Sequence, residues 1–313
     1  MLILMAQFLY PMNLEYLYNM FYRRKIILAL LQVFGGRLEK INLHKLLFLV
    51  CQKQKEPEYD FIPYLYGCYS HSAKADLFTM VKKDFLTEDE TGYSKKDRKN
   101  YLALLDDEDK KLVNQAYVLY NKMDGDGLMK HTYTNFPYYA IHSTTAERLL
   151  TKEQLSKVNT FRPALNTTTL YTLGYEGISL EVYLNKLIKH DIKVLVDVRN
   201  NPLSQKFGFS KSQLIRYCEG LNIEYIHFGE VGIQSEYRQE LKEQSDYDNL
   251  FESYKKKTLP NTISTQEKIL ALLKDKKRIA LTCFEANICQ CHRKHLAEAI
   301  TQLPQWNHEL KHI

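Results

Sequence analysis

The chain has too few cysteines for a disulfide scaffold. There are six in 313 residues. Cys51, Cys68 and Cys218 are scattered, and Cys283, Cys289 and Cys291 cluster. This usage points to a reducing cytoplasm rather than to a stapled secreted domain. The apolar stretch from Met1 to Tyr10 has no basic segment before it and no small-residue cleavage site after it, which argues against a signal peptide. It is also too short to span a membrane. Met12 offers an alternative start, so residues 1–11 read as an extension or a loosely held arm. Strong charge of one sign is missing as well. Lys and Arg total 43 against 37 Asp and Glu, a net +6, which is compatible with nucleic acid without requiring it. The basic runs, such as Lys95-Lys96-Asp97-Arg98-Lys99 and Lys255-Lys256-Lys257, are short enough to be solvated faces.

What is present suits a folded protein. Hydrophobic residues make up 45% and charged residues 26%, and the length accommodates two domains. The 23 tyrosines suit half-buried surfaces, interfaces or base stacking, although an AT-rich coding bias produces the same excess.

The first half reads as helical. Asn13 to Phe34 has a helical pattern that ends at Gly35-Gly36. A second helix begins at Leu43, and Phe61 to Gly67 is aromatic and extended around Pro63. Ser72 is a candidate cap for a third helix. Thr87 to Lys99 reads as a hairpin wing, Asp106 to Tyr120 and Thr145 to Val158 as helices, and Asn159 to Thr168 as a linker. Asp124-Gly125-Asp126-Gly127 looks like the start of a calcium loop, but Asn135 stands where the bidentate Glu belongs. The outline is that of a winged helix. The segment Leu43-His44-Lys45-Leu46-Leu47-Phe48-Leu49, followed by Tyr64-Leu65-Tyr66-Gly67-Cys68-Tyr69-Ser70, resembles Panacea-type antitoxin-like domains, with Cys68 in place of the usual proline. That resemblance implies a module that neutralises a protein partner or reads DNA; DNA, RNA or a protein are the partners expected of this half.

From Leu170 the pattern changes to strands alternating with helices, which predicts an α/β unit with a mainly parallel sheet. The fold class expected is therefore α+β overall. A helical, winged-helix-like domain covers 1–165 with its linker, and an α/β domain covers 166–313. Four strand ends carry polar groups: Gly174, Tyr175 and Glu176; Asp197, Arg199 and Asn200; His227 and Glu230; then Cys283, Glu285, Cys291, His292 and Arg293. In a parallel sheet these ends share one edge and converge on one crevice. Singly, each has a bland reading: an Asp that closes a strand is usually a cap, and Asp197 paired with an arginine would simply hold the sheet together.

Residues 170–300 resemble an uncharacterised bacterial family, number 488 among the domains of unknown function. Carriers are Thr172-Leu173-Gly174-Tyr175-Glu176-Gly177, Leu195-Val196-Asp197-Val198-Arg199 with Asn201-Pro202 and Ser204, and Phe209-Ser210-Lys211. Ile223 to His227 with Glu230-Val231-Gly232, Arg238, and Cys283-Phe284-Glu285 with Cys291-His292-Arg293 complete the set. The resemblance implies an α/β fold with a site at these residues, and no reaction.

The leading functional expectation is an enzyme that cleaves a glycosidic or phosphodiester bond in nucleic acid or a nucleotide. Asp197 and Glu285 would supply acid/base or nucleophilic chemistry together with Cys283 and His292. Gly174, Tyr175, Glu176, Arg199, His227, Arg238, Cys291 and Arg293 would bind substrate, the arginines taking phosphate. A second expectation is a sulfurtransferase-like enzyme with Cys283 as nucleophile, although the loop after Cys283 lacks the glycines of rhodanese-like proteins. A third is a non-catalytic regulator that binds nucleic acid or protein. A metal at Cys283, Cys289, Cys291 and His292 is not expected, because Cys-x5-Cys-x-Cys-His matches no common zinc module, and no cofactor or membrane partner is expected either.

Overall fold

A computed structural model of the chain describes residues 20–164, 166–238, 241 and 243–313; the side chains of Ser235 and Arg238 lie outside it. The chain forms two compact units, Met1–Tyr59 with Cys68–Asn135, and Asp60–Gly67 with Phe136–Ile313. Among the described residues no helix is long and apolar enough to cross a membrane.

In the first unit, helix α1 (Tyr22–Val33) ends at Gly35 and Gly36. Both adopt positive φ, 86° and 89°, which glycine reaches without the Cβ penalty. The part of the expected first helix before Met20 lies outside the described residues. Strand β1 (Arg37–Glu39), helix α2 (Lys40–Cys51) and helix α3 (His71–Lys82) follow. The cap of α3 is Ser70 rather than Ser72: its Oγ accepts from the Ala73 amide at 3.1 Å. Strands β2 (Leu86–Glu88) and β3 (Gly92–Lys95) form an antiparallel hairpin, and β3 also pairs with β1. The sheet order is thus β1-β3-β2. Helices α4 (Asp107–Tyr120) and α5 (Gly125–Asn135) complete the unit.

The second unit holds short helices α6 (Ala146–Leu149) and α7 (Lys152–Asn159) where one helix was expected. The break has a local cause. Thr151 starts α7 with a capping box, its side chain accepting from the Gln154 amide while Gln154 reaches back.

Five strands then form one sheet: β4 (Thr169–Gly174), β5 (Val194–Asp197), β6 (Glu224–His227), β7 (Arg278–Cys283) and β8 (Glu309–His312). Their order is β8-β4-β7-β5-β6, and every neighbouring pair is parallel. The connecting helices are α8 (Leu180–Lys189), α9 (Lys211–Glu219), α10 (Gln244–Asn261), α11 (Ile263–Lys276) and α12 (His292–Thr301). Helix α10 ends and α11 begins at Thr262.

The central strands are buried along their whole length because helices cover both faces. Leu281 and Cys283 point to one face, where Leu296, Ala297 and Ile300 of α12 and Ile269 and Leu273 of α11 join the core. Thr282 points to the other, where Tyr183 of α8 donates to its Oγ1 at 2.8 Å. Parallel register aligns the strand ends: Gly174 lies opposite Cys283, Asp197 opposite Thr282, and His227 opposite Asp197. The polar residues after these ends are thereby brought to one edge.

Candidate active site

The turn that leaves β7 is held on three sides. A Cβ on Gly174 would stand 2.0 Å from the Glu285 carbonyl oxygen, so only glycine admits the turn so close to the end of β4. The amides of Tyr175 and Glu176 donate to the Phe284 carbonyl at 3.1 and 2.9 Å. The Glu176 carboxylate accepts from the Ala286 amide at 2.9 Å. From α12, the buried Arg293 donates to the carbonyls of Glu285 and Ala286. Gly174, Glu176 and Arg293 therefore act on the backbone of residues 284–286.

Fixing this turn aims the Glu285 side chain back at Cys283. The Cys283 thiol donates to Glu285 Oε2 at 3.1 Å. His292, the first residue of α12, sets its Nδ1 3.7 Å from Cys283 Sγ. Its Nε2 donates to the Val198 carbonyl at 2.9 Å. That bond assigns the ring proton to Nε2 and leaves the Nδ1 lone pair facing the sulfur. Cys291 caps α12 and is fully buried. Burial pushes its thiol well above the ordinary range; the nearby Cys283 and Glu285 add to the rise, and Arg293 opposes it.

A second network lies beneath. Asp197 is fully buried and receives Arg199 Nε at 2.9 Å, the Arg199 amide at 3.1 Å and the Tyr225 hydroxyl at 2.6 Å. Arg199 Nη2 closes the ion pair at 2.5 Å. Arg199 Nη1 donates to the Tyr175 hydroxyl at 2.6 Å and to the Phe209 carbonyl at 2.9 Å. Burial pulls the guanidinium down, but the bonds and charge of Asp197 outweigh it and hold Arg199 above its ordinary value. Burial, then Asp197, raises the Tyr225 phenol. The Tyr175 ring stacks on Phe209 with centroids 4.2 Å apart. His227 Nε2 donates to the Arg199 carbonyl at 2.8 Å, which ties the β6 end to the same loop.

A cavity of about 360 Å³ opens above these groups. Of the residues expected from sequence, Tyr175, Arg199, Cys283, Glu285 and His292 line it. Gly174, Glu176, Asp197, His227, Cys291 and Arg293 do not line it but brace those that do. The Arg238 side chain lies outside the described residues. The lining also includes Asn200, Asn201, Leu203, Ser204, Ile233 and Phe284. Of these, Asn200 is one of the strand-end groups expected to converge here, and Asn201 and Ser204 follow it among the residues that carry the family resemblance. Ile233 and Leu203 are apolar loop residues and carried no signal in the sequence. Tyr225, the third donor to Asp197, was concealed within a strand pattern.

No curated protein matches the chain. Residues 179–300 match the model of a family described as "Domain of unknown function DUF488". The matched stretch begins at the cap of α8 and takes in Asp197, Arg199, Cys283, Glu285, Cys291, His292 and Arg293. It is this family that the C-terminal part of the chain, the part carrying the cavity, resembles.

Proposed function

We propose that the C-terminal unit is a hydrolase that acts on a nucleotide or nucleic acid, with Glu285 as its general acid/base. One observation carries this reading: Glu285 is the single carboxylate among the residues lining the cavity, held on a turn whose backbone is fixed from three sides. Asp197 is unsuited to the same role, since its oxygens already receive Arg199 and Tyr225. Arg199 and Arg293 are likewise engaged, by Asp197 and by backbone carbonyls. The remaining lining is neutral: the amides of Asn200 and Asn201, the Ser204 hydroxyl and the rings of Tyr175 and Phe284. Such groups suit a flat, polar heterocycle. The reaction that fits is hydrolysis of a bond at the base, rather than at a phosphate.

The test is incubation of the purified protein with nucleosides, nucleotides and oligonucleotides, with chromatographic detection of released or altered base. Turnover that falls about 100-fold or more in Glu285→Gln, at unchanged melting temperature, supports the reading. Equal turnover in the two proteins overturns it.

A thiol-dependent enzyme is the second reading, because Cys283 Sγ faces the His292 lone pair. It ranks second because the same thiol already donates to Glu285. Alkylation of Cys283 by iodoacetamide at a rate no faster than that of the exposed Cys289 would count against it.

For the N-terminal unit we propose a winged helix that serves a protein partner. The order helix, strand, helix, helix, hairpin, with the short strands Ile62–Tyr64 and Gly67–Tyr69 between the second and third helices, and the sheet order β1-β3-β2 support the fold. The hairpin offers little to phosphates: its tip carries Asp89 and Glu90, while Lys95 and Lys96 pair with Asp97 and Asp84. On α3, Phe78 is 64% exposed, a feature more at home in a protein contact.

A further inference from the structure

Cys283, Cys291 and His292 form a cluster that the acid/base reading does not use. The two sulfurs and one imidazole nitrogen all lie within 4.8 Å of one another, and all three residues are buried. In a tetrahedral zinc site, sulfur and imidazole nitrogen stand about 3.5 Å apart, given the usual bond lengths. The Cys283 Sγ to His292 Nδ1 distance is 3.7 Å. The histidine already has the orientation of a metal ligand. Nε2 donates to a backbone carbonyl, which fixes the tautomer and directs the other lone pair at the sulfurs. Two rigid elements hold the donors, the end of β7 and the start of α12. Cys289 is exposed and outside the cluster.

We propose that Cys283, Cys291 and His292 bind one thiophilic divalent cation of the zinc class, with a fourth position open to the cavity beside Glu285. Two thiolates, an imidazole and a lone pair directed inward form a soft donor set that selects zinc over magnesium or calcium. Cys283 and His292 line the cavity, so the fourth position faces it. Two cysteines, a histidine and a nearby non-ligand carboxylate are also the set with which zinc activates water against exocyclic amines of bases. Binding replaces the two thiol protons with the cation and releases both to solvent. The metal site deepens the hydrolase reading without depending on it, since metal binding is measured without turnover.

The experiment is a titration of cobalt(II) chloride into the full-length protein after chelator treatment, together with elemental analysis of the untreated protein. Expected are about one zinc-class ion per chain as purified, and a cobalt spectrum with an intense near-ultraviolet sulfur band and tetrahedral visible bands. Cys283→Ser and Cys291→Ser should weaken cobalt binding by more than about 100-fold, while Cys289→Ser and Glu285→Gln keep the spectrum. The proposal is overturned if folded wild-type protein neither carries nor takes up either metal. It is equally overturned if Cys289→Ser abolishes the cobalt spectrum. Because the wild-type titration decides the matter alone, a folding defect in Cys291→Ser does not rescue the idea. Failure here leaves Glu285 as acid/base without a metal; loss of no activity in Glu285→Gln defeats that reading and leaves the metal site standing.

Discussion

The carbonyl oxygen of Glu285 lies 2.0 Å from the point where a side chain at Gly174 would begin. Gly174 ends β4 and Glu285 lies in the turn just after the neighbouring parallel strand β7, and the contact sets where the catalytic candidate can point. Gly174→Ala must push this turn away from the end of β4. The expected cost is about 1–3 kcal/mol in stability, as for an overpacked core. Urea unfolding of the C-terminal unit checks it; a variant as stable as the parent would show that the turn yields easily.

Asp197 and Arg199 form a buried pair with Tyr225 and Tyr175 as further partners. Asp197→Asn leaves the guanidinium charge buried without its counter-ion. A loss of about 3–5 kcal/mol is expected. Glu285→Gln keeps a hydrogen-bonding side chain of the same shape at the cavity wall and should change stability by less than about 1 kcal/mol. Denaturation of both variants separates a bracing residue from a reacting one.

Much of the second unit was legible because its chemistry sits on strong patterns. The apolar runs ending in Asp197 and Cys283 read as buried parallel strands, and they are. Strand β8 was not foreseen, since Glu309-Leu310-Lys311-His312 is polar and mostly exposed at the sheet edge. The division of labour among the site residues was invisible in the sequence. Arg293 reads as an anion ligand at a helix N-terminus, but its buried guanidinium is turned to the carbonyls of Glu285 and Ala286. Spacing also concealed the cysteine cluster. Cys289 lies between its members in sequence yet outside it in space, so a spacing rule that counts every cysteine fails.

In the first unit, His44 is buried and stacks on Tyr69 with centroids 5.0 Å apart. Burial, then the positive charges of Lys45, Lys74 and His71, lowers its imidazole to about 3. The unfolded chain protonates this histidine near 6.5, so the unfolded state binds more protons between the two values. Its contribution is complete above about pH 6.5 and is lost as pH falls toward 3. The loss between pH 6.5 and 5 is about 2 kcal/mol. His44→Phe keeps the stacked ring and removes the titration. Melting at pH 7 and pH 5 should therefore show a smaller drop in His44→Phe than in the parent, and equal drops would exclude His44 as the cause.

Arg293 offers the sharpest contrast between two roles for one residue. Were it a phosphate ligand at the start of α12, its replacement by lysine would leave the fold intact and weaken only the hold on the anion, keeping the charge but not the fork. Where it braces the β7 turn, the same replacement would not leave the fold intact. The guanidinium reaches two successive carbonyls, of Glu285 and Ala286, from a side chain only 2% exposed. An ammonium is a single point that lacks this fork. Arg293→Lys should then lose about 1–3 kcal/mol of stability, the usual result of leaving a buried carbonyl unpartnered. It should also lower kcat at whatever base substrate is turned over, because Glu285 sits on that turn and its carboxylate meets Cys283. KM for that substrate should change little, since Arg293 does not line the cavity. The phosphate role predicts the reverse: stability held, kcat held, and KM raised for phosphorylated substrates alone. Steady-state kinetics on a nucleoside and its monophosphate, beside a denaturation curve, distinguish the two outcomes.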